Sequence, residues 1–376
     1  MRPVWADIDL GAVSRNVARL AAVAAPATLY AVVKADGYGH GAVPVARAAL
    51  TGGAQGLAVA LVAEGVALRK AGIDAPVLVL SEASTEDLPA LVDHRLDATV
   101  YTSEGIASLA AAARNGGRGA DDAVAVHLKV DTGMHRVGAA PVDAVDLARS
   151  VIDAEGLALA ALCTHCAVAD EPDNPFTAGQ IDRFEDVVTD IRSAGIDVAR
   201  THAANTAATL AWPQARLDMV RCGIGIYGLA PSPALADRIE WEPALSLRAE
   251  VSFVKRVAAG EGVSYGLRYR PGRETTIATV PIGYADGVPR RLSAVGGRAL
   301  VGGVARPIAG TVTMDQLLLD CGDDPVAIGD EVVLLGRQGD ATIAAADWAE
   351  GLDTITYEIV CGIGPRVPRR YQESPS

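Results

Sequence analysis

The stretch Thr28–Val33 and the residues after it, Lys34-Ala35-Asp36-Gly37-Tyr38-Gly39-His40-Gly41, are the most informative part of this 376-residue chain. An apolar, strand-favouring run ends in one lysine, and three glycines follow within seven residues. The pattern predicts a buried strand that places an amine beside a loop open to a ligand. Burial favours the neutral amine, which can form a Schiff base with a carbonyl. The alternative is a lysine at a strand end with its amine in water.

The region from about residue 27 to 230 repeats one pattern, in which short apolar runs alternate with alanine-rich amphipathic stretches. Near-continuous apolar strands separated by helices indicate a parallel sheet buried on both faces. Eight such units predict an α/β fold with a (β/α)8 TIM-like barrel, and a doubly wound open sheet is the alternative. The predicted strands are 29–33, 57–60, 77–80, 98–101, 124–130, 157–163, 197–201 and 217–220.

The pattern changes after Pro231 and Pro233, where helical stretches nearly vanish. Strand-like segments separated by glycine turns follow, with one short helical piece near 344–350, and they predict a mostly β C-terminal domain. The predicted strands there are 246–257, 276–282, 299–301, 316–319 and 331–335. We therefore expect a barrel domain over 11–239 and a strand-rich domain over 240–376. The initial segment, 1–10, is a candidate to pair with the strand-rich domain.

The charge and composition of the chain exclude several classes of partner. Thirty-three Lys and Arg against 46 Asp and Glu give a net charge of −13, which argues against nucleic acid and anionic membranes. Residues 1–9 contain two acidic residues, Asp7 and Asp9, where a signal peptide needs an apolar run, and no apolar stretch is long enough to span a bilayer. We expect a cytoplasmic globular protein.

The five cysteines are scattered, and only Cys163-Thr164-His165-Cys166 has CxxC spacing. A zinc site would need a second pair, and a thioredoxin-like motif would open a helix where this one ends an apolar run. We expect reduced cysteines and no metal.

Polar residues collect at the carboxyl ends of five predicted strands, where a barrel places its active site. They are Lys34 with Tyr38, 129–136, 164–165, 202–206 and 221–225. The segment 223–228 has GxGxxG spacing, but prolines follow it where a dinucleotide fingerprint needs a helix. Backbone N–H groups in this glycine loop suit a phosphate.

The motif Lys34–Gly41 resembles the pyridoxal-phosphate lysine motif of alanine racemases, usually Lys-Ala-Asn-Ala-Tyr-Gly-His-Gly, with Asp36-Gly37 as a mild departure. Further blocks resemble the same family in the same order over essentially the full chain: 129–138, 202–206, 221–228, 265–266, 310–316 and 357–359. The resemblance implies a racemase that interconverts L- and D-alanine with pyridoxal 5'-phosphate and supplies D-alanine for peptidoglycan.

The resemblance assigns several residues to the cofactor. Lys34 would hold pyridoxal phosphate through a Schiff base, and Arg221, supported by His165, would face the pyridine nitrogen. The phosphate would be bound by hydroxyls and backbone N–H groups, those of Tyr38, Tyr357, Thr206, Gly223 and Ile224. Thr206 replaces the family's usual serine; alternatively it caps the next helix. Because a guanidinium does not give up its proton, Arg221 would leave the pyridine nitrogen unprotonated, which suits racemisation.

Racemisation needs a base on each face of the α-carbon, and the resemblance assigns Lys34 and Tyr265. A tyrosine needs nearby positive charge to act as a base at neutral pH. Tyr265 falls in the β domain, so the resemblance implies a head-to-tail homodimer in which Tyr265 and Met314 complete the partner's site. Tyr284, with Tyr265, would narrow access to a small side chain.

The resemblance also assigns the substrate carboxylate to Arg136 and the Met314 backbone. Lys129 resembles a lysine that can be carbamylated to position Arg136. The structural alternatives are that Lys129 pairs with Asp131, that Met314 fills the core and that Tyr38 and Tyr357 are ordinary amphipathic tyrosines.

Three other functions are alternatives: a broader-specificity racemase, a decarboxylase of the same fold and a non-catalytic pyridoxal-phosphate carrier. Arg221 stands where a decarboxylase would have an acidic residue. The second domain, with Tyr265 and Met314, counts against the carrier. The broader racemases are typically exported, and this chain shows no signal peptide.

Overall fold

The computed structural model describes residues 2–373, and the chain divides into two compact units. The first unit comprises Met1–Ala12, Tyr38–Gly41 and Pro243–Ser376, and it contains the first strand, β1 (Val4–Asp9). The second comprises Val13–Gly37 and Ala42–Glu242. Sequence patterns did not indicate that Tyr38–Gly41 belongs to the first unit. The domain limits drawn from the sequence remain a prediction.

Eight parallel strands of the second unit close into a barrel. They are β2 (Thr28–Val32), β3 (Gly56–Val59), β4 (Val77–Val79), β5 (Ala98–Val100), β6 (Val124–Lys129), β7 (Leu157–Cys163), β8 (Thr201–His202) and β9 (Met219–Cys222). Pairing runs β4-β3-β2-β9 and β5-β6-β7-β8. A parallel bridge from Leu78 to Asp97 joins β4 to β5, and Arg221 N–H donates to the Ala204 carbonyl at 2.9 Å beside β8. The predicted barrel is confirmed, and the open sheet is wrong.

Helices separate most of these strands. Up to residue 242 they span Leu10–Ala24, Ala42–Thr51, Val62–Lys70, Leu88–Asp93, Ser103–Asn115, Ala144–Asp153, Phe176–Ser193 and Thr206–Ala211. The helix Ser103–Asn115 shows why such segments fold this way: Thr102 caps it by accepting from Gly105 N–H at 2.9 Å, and its buried residues recur at helical spacing. Among the described residues, no helix combines the length and apolar character needed to cross a membrane.

The predicted strand 197–201 overlaps the observed strand at Thr201 alone, because β8 contains only Thr201–His202. The other seven predicted barrel strands overlap the observed ones at two or more residues. Thr201 donates to Asp218 Oδ2 from its backbone N–H at 2.7 Å and from its hydroxyl at 2.8 Å. These bonds anchor the beginning of the strand, and their acceptor lies in a distant part of the chain.

The first unit is mostly β, as predicted. After β1 its strands are β10 (Leu245–Glu250), β11 (Phe253–Val257), β12 (Thr275–Val280), β13 (Arg298–Val301), β14 (Val304–Pro307), β15 (Leu317–Gly322), β16 (Glu331–Gln338), β17 (Ala341–Ile343) and β18 (Arg369–Gln372). The larger sheet has the order β14-β13-β16-β10-β1-β18, with β17 on β16, and β11-β12-β15 form a second sheet. Two α-helices, Ala345–Leu352 and Thr356–Cys361, also lie in this unit.

The predicted strand 246–257 proves to be two strands in different sheets. Between them, Val251 N–H donates to the Asp330 carbonyl at 2.9 Å and Ser252 N–H donates to the Thr279 carbonyl at 2.8 Å. The chain therefore changes sheets between Val251 and Ser252, a step that leaves no break in the apolar pattern.

Candidate active site

Lys34 begins a left-handed turn at the end of β2. The φ angles of Ala35, Asp36 and Gly37 are 51°, 51° and 62°, a region that L-residues other than glycine rarely adopt. Gly37 N–H donates to the Val33 carbonyl at 2.9 Å and closes the turn. The lysine is half-buried at the barrel position where the sequence predicted it.

Two carboxylates hold this turn. Asp36 Oδ1 accepts a hydrogen bond from Ala42 N–H at 2.8 Å, and Glu64 Oε1 accepts one from Ala35 N–H at 2.6 Å. Asp36, which departs from the usual family motif, therefore joins the turn to the helix that begins at Ala42.

Arg221 is buried on β9, with 5% of its surface exposed. Its Nη2 donates to the carbonyls of Thr164 at 2.9 Å and Ala203 at 3.0 Å, and to His165 Nδ1 at 3.2 Å. Its Nη1 is hydrogen-bonded to His202 Nδ1. Burial lowers the pKa of Arg221, but a guanidinium keeps its proton. The structure thus brings Arg221 and His165 together, as the sequence predicted.

The tautomers of two buried histidines follow from Arg221. Because a guanidinium only donates, His202 Nδ1 accepts and its proton lies on Nε2. That Nε2 donates to His127 Nδ1 at 2.8 Å, so His127 carries its proton on Nε2, which lies 4.0 Å from Asp97 Oδ2. Burial lowers the pKa of both imidazoles, that of His127 to about 3. Both rings are neutral at pH 7.

The predicted phosphate-binding groups of the barrel are adjacent. Gly223 N–H donates to Thr206 Oγ1 at 2.9 Å, and Ile224 begins the short turn Ile224–Tyr227 directly after Gly223. Asn205 caps the helix Thr206–Ala211 by accepting from Ala208 N–H at 2.9 Å. The interpretation of Thr206 as the cap is therefore wrong.

Lys129 is buried at the end of β6, and its Nζ donates to the Leu80 carbonyl at 3.4 Å. Burial lowers the pKa of Lys129, and nearby cations, Arg221 first, lower it further. Asp131 accepts from the N–H groups of Gly133 at 2.9 Å and His135 at 3.1 Å. The carboxylate of Asp131 thus stabilises the loop that follows it, residues 131–135.

A small pocket lies where Lys129 meets this loop. Arg136 and His165 line it together with Lys129, and the remaining lining residues are Val130, Asp131, Met134, Val137 and Thr164. The pocket thus brings a cationic guanidinium and a neutral imidazole to the mouth of the barrel.

Tyr38 and Tyr357 come together in the first unit, with ring centroids 6.0 Å apart. Burial raises the pKa of Tyr38, so its hydroxyl stays a donor at neutral pH. Gly39 has φ of 78°, and a Cβ there would lie 2.6 Å from the Val360 carbonyl oxygen. The helix Thr356–Cys361 therefore packs directly against the Tyr38–Gly41 segment.

Tyr265, Met314 and Tyr284 are exposed on the first unit, by 74%, 52% and 41%. Thr311 Oγ1 donates to the Tyr265 carbonyl at 3.1 Å, and Tyr284 N–H donates to the Thr313 carbonyl at 2.9 Å. These bonds join three loops into one surface. Met314 does not fill the core of this chain.

Sequence patterns did not single out Glu64, His127 or Asp97. Glu64 lies in the first turn of a helix, where an acidic residue is ordinary, and His127 lies inside an apolar strand. Within residues 2–373, no group of three or more His, Cys, Asp and Glu side chains is placed to hold a metal ion.

The fold and these residues define a barrel enzyme with a lysine and a buried arginine at the ends of adjacent strands. The family model for the alanine racemase N-terminal domain matches residues 8–231, and that for the C-terminal domain matches residues 244–371. The chain belongs to the alanine racemase family, which confirms the resemblance seen in its motifs.

Individual relatives match over nearly their full length. The alanine racemase of Symbiobacterium thermophilum is 46% identical over 372 residues, covering 99% of this chain and 97% of the relative. The alanine racemase of the D-cycloserine producer Streptomyces lavendulae superposes with a TM-score of 0.93 at 40% identity, covering 100% and 98%. A histidine racemase from Leuconostoc mesenteroides subsp. sake has a TM-score of 0.90 at 29% identity, covering 99% and 98%.

Proposed function

We propose that this protein interconverts L- and D-alanine with pyridoxal 5'-phosphate held by Lys34. The observation that carries the proposal is the placement of Lys34 just after β2 and of Arg221 on the adjacent strand β9, where Tyr30 is the register partner of Arg221. We further propose that the enzyme acts in the cytoplasm and supplies D-alanine for peptidoglycan.

The residues of the barrel fit the cofactor. Every side-chain contact of Arg221 described above uses Nη1 or Nη2, so none of them occupies its Nε–H, a donor suited to a pyridine nitrogen. Thr206 and the N–H groups of Gly223 and Ile224 suit the phosphate. A Cβ at Gly225 would lie 2.7 Å from Thr206 Cγ2, so glycine at this position allows the loop to approach Thr206 closely. Tyr38 and Tyr357 would add hydroxyl donors.

Arg221 directs the chemistry toward racemisation. Pyridoxal phosphate bound there supplies an electron sink that makes the α-proton of an amino acid acidic. Arg221 would donate to the ring nitrogen and would retain its own proton, because a guanidinium is not deprotonated in proteins. His165 and the neutral His202 hold the guanidinium in place, and neither is acidic enough to protonate the ring nitrogen.

Two bases act on opposite faces of the α-carbon. The Lys34 amine moves the proton on one face, and a Tyr265 hydroxyl moves it on the other. We propose a head-to-tail homodimer in which Tyr265 and Met314 of the partner subunit complete the site. The 74% exposure of Tyr265 and the 52% exposure of Met314 support this arrangement, because both side chains are available to a second copy.

The substrate carboxylate is bound by Arg136 and the Met314 backbone in this proposal. Lys129 is a candidate for carbamylation because its lowered pKa favours the neutral amine that reacts with carbon dioxide. The resulting carbamate would carry negative charge next to Arg136 in the pocket they share. Tyr284 and Tyr265 restrict entry to small side chains.

The deciding experiment incubates the protein and pyridoxal phosphate with L-alanine in D2O and follows α-deuterium by NMR and D-alanine by chiral chromatography. D-Alanine with α-deuterium, without pyruvate or carbon dioxide, supports the proposal. No exchange despite attachment of the cofactor to Lys34 overturns it. Parallel incubations with L-serine and L-histidine test a broader specificity, which the structural likeness to a histidine racemase makes the second candidate. Rescue of a D-alanine auxotroph tests the peptidoglycan role.

A further inference from the structure

We propose that Glu64 is a positioning residue for Lys34, holding the left-handed turn on which this lysine is mounted. The functional part of the inference rests on the proposed role of Lys34 as the reactive amine. The structural part concerns the turn alone and is testable without cofactor.

One carboxylate joins two turns at the mouth of the barrel. Glu64 Oε1 accepts from Ala35 N–H at 2.6 Å, directly after Lys34. Glu64 Oε2 accepts from the N–H groups of Ala60 at 2.9 Å and Leu61 at 3.1 Å, directly after β3. The end of β2 is thereby tied to the end of its neighbour in the barrel.

Lys34 is held on both sides as a result. On one side, Val33 N–H donates to the Ala58 carbonyl at 2.9 Å and continues the pairing of β2 with β3. On the other, Ala35 has φ of 51°, where its Cβ crowds the backbone carbonyl oxygen. A conformation that alanine disfavours needs an external restraint, and the bond to Glu64 supplies one at the residue next to Lys34.

The geometry requires a carboxylate. Both oxygens of Glu64 accept from backbone N–H groups, and a glutamine side chain has one acceptor oxygen and one NH2 group, which is a donor. The single amide oxygen of Glu64→Gln keeps more hydrogen bonds on the side of Ala60 and Leu61, so the NH2 group would face Ala35 N–H. The variant therefore keeps the shape of the side chain and breaks one half of the tie.

The chain contains a matched control in Glu82. Its Oε2 accepts from the N–H groups of Tyr101 at 2.8 Å and Thr102 at 3.1 Å, and its Oε1 accepts from the Thr102 hydroxyl at 2.6 Å. Glu82→Gln thus makes the same substitution in a comparable contact after β5 without touching the turn at Lys34.

The first measurement is amide hydrogen exchange at Ala35 in the cofactor-free protein. We expect exchange at Ala35 to be about tenfold faster in Glu64→Gln than in the unsubstituted protein, and unchanged in Glu82→Gln. The second is competitive acetylation of Lys34 against the exposed Lys255, read by mass spectrometry. We expect the relative rate at Lys34 to change at least about threefold in Glu64→Gln only, because the amine leaves its fixed surroundings.

The third measurement uses pyridoxal phosphate as the probe and follows the visible absorption band that accompanies its attachment to a lysine. We expect attachment and kcat to fall by about tenfold in Glu64→Gln, with KM for alanine nearly unchanged. Ala35→Gly should restore much of the loss in the double variant, because glycine adopts the left-handed conformation without the restraint. A general loss of folding would not be rescued in this way.

Unchanged Ala35 exchange and unchanged Lys34 acetylation in Glu64→Gln would overturn the proposal. If Glu64→Gln does not fold, Glu64→Asp carries the same test, since its shorter side chain keeps the charge and cannot span both turns. Absence of cofactor attachment in the unsubstituted protein would count against the proposed function instead. The exchange and acetylation results would still decide the role of Glu64.

Discussion

His127 Nδ1 lies 2.8 Å from His202 Nε2, and the other ring nitrogen of His202 receives a hydrogen bond from Arg221. Every donor in this series points away from Arg221, so the positions of the protons are determined throughout. Because burial keeps both imidazoles neutral, the guanidinium is oriented by dipoles and carries the only positive charge of the three groups.

Removing the central histidine should destabilise the barrel. His202→Ala leaves His127 Nδ1 and one Arg221 donor buried without partners, at about 1–3 kcal/mol for each. We expect the free energy of unfolding in urea to fall by about 2–5 kcal/mol. His94→Ala, at the end of a surface helix, serves as the control and should cost less than about 1 kcal/mol. Equal losses in the two variants would contradict this account.

The neutral state of His127 predicts a pH-dependent contribution to stability. The pKa of His127 is lowered to about 3 by burial, whereas an unfolded histidine has a pKa of about 6.5. The unfolded chain therefore binds the additional proton first, so this contribution is fully present above pH about 6.5 and is lost as pH falls toward about 3.

His127→Gln tests this, because glutamine binds no proton in that range. The unfolding free energies of the unsubstituted protein and the variant should approach each other by roughly 1–2 kcal/mol between pH 7 and pH 5. Urea titrations at the two pH values give the comparison. A difference between the two proteins that does not change with pH would show that His127 is not held neutral.

Gly39 and Gly72 form a matched pair for testing the contact between Tyr38–Gly41 and the helix Thr356–Cys361. Their φ angles are 78° and 77°, but only at Gly39 would a Cβ meet backbone, 2.6 Å from the Val360 carbonyl oxygen. Both alanine variants incur the left-handed strain of about 1–2 kcal/mol. We expect Gly39→Ala to lose at least about 1 kcal/mol more in thermal unfolding and to bind pyridoxal phosphate more weakly. Equal losses of stability and equal cofactor affinity in the two variants would show that the contact of Gly39 with Val360 contributes to neither property.

Asp286 should link the stability of the first unit to substrate binding. The fully buried carboxylate contacts Arg2 and Arg366, and its Oδ2 accepts from Gly283 N–H at 2.9 Å. The turn held in this way carries Tyr284. We expect Asp286→Ala to lower the free energy of unfolding by about 2–4 kcal/mol and to raise KM for alanine several-fold.

Asp315→Ala is the control for Asp286. This exposed carboxylate lies 2.6 Å from Arg366 Nη2, so its removal changes the charge near the same arginine without opening the buried site. An exposed ion pair contributes less than about 1 kcal/mol. If Asp315→Ala lowers the free energy of unfolding as much as Asp286→Ala does, the effect arises from the changed charge near Arg366 and not from the turn that carries Tyr284.

The barrel could be predicted from the sequence because each of its strands is marked by a short apolar run. Leu29 to Val33 and the apolar runs after it are continuous, and a strand buried on both faces needs such a run. The two-residue β8 did not follow this rule, since its beginning depends on Asp218, which comes later in the chain. The strand boundary was therefore set by a tertiary contact.

Site residues that belong to a recognisable motif could be predicted from the sequence. Contacts between residues far apart in the sequence could not. Lys34 and Arg221 were found at strand ends, and the left-handed turn at Ala35 was missed because its restraint, Glu64, comes from another helix. His127 and His202 are separated by 75 positions, and nothing in either strand indicates that the rings meet. The roles assigned to Tyr265, Met314 and Lys129 remain predictions.

β1 lies inside the larger sheet of the first unit, with β10 antiparallel on one side and β18 parallel on the other. Val4 pairs with Ala249, and Ala6 pairs with Arg369. During synthesis at about 5–20 residues per second, the first strand therefore waits on the order of ten to fifty seconds for its first neighbour. The barrel sequence emerges from the ribosome in that interval. A nascent chain stalled before β10 would expose an unpaired strand whose side chains Val4, Trp5, Ala6 and Ile8 are buried in the folded protein, a target for chaperones.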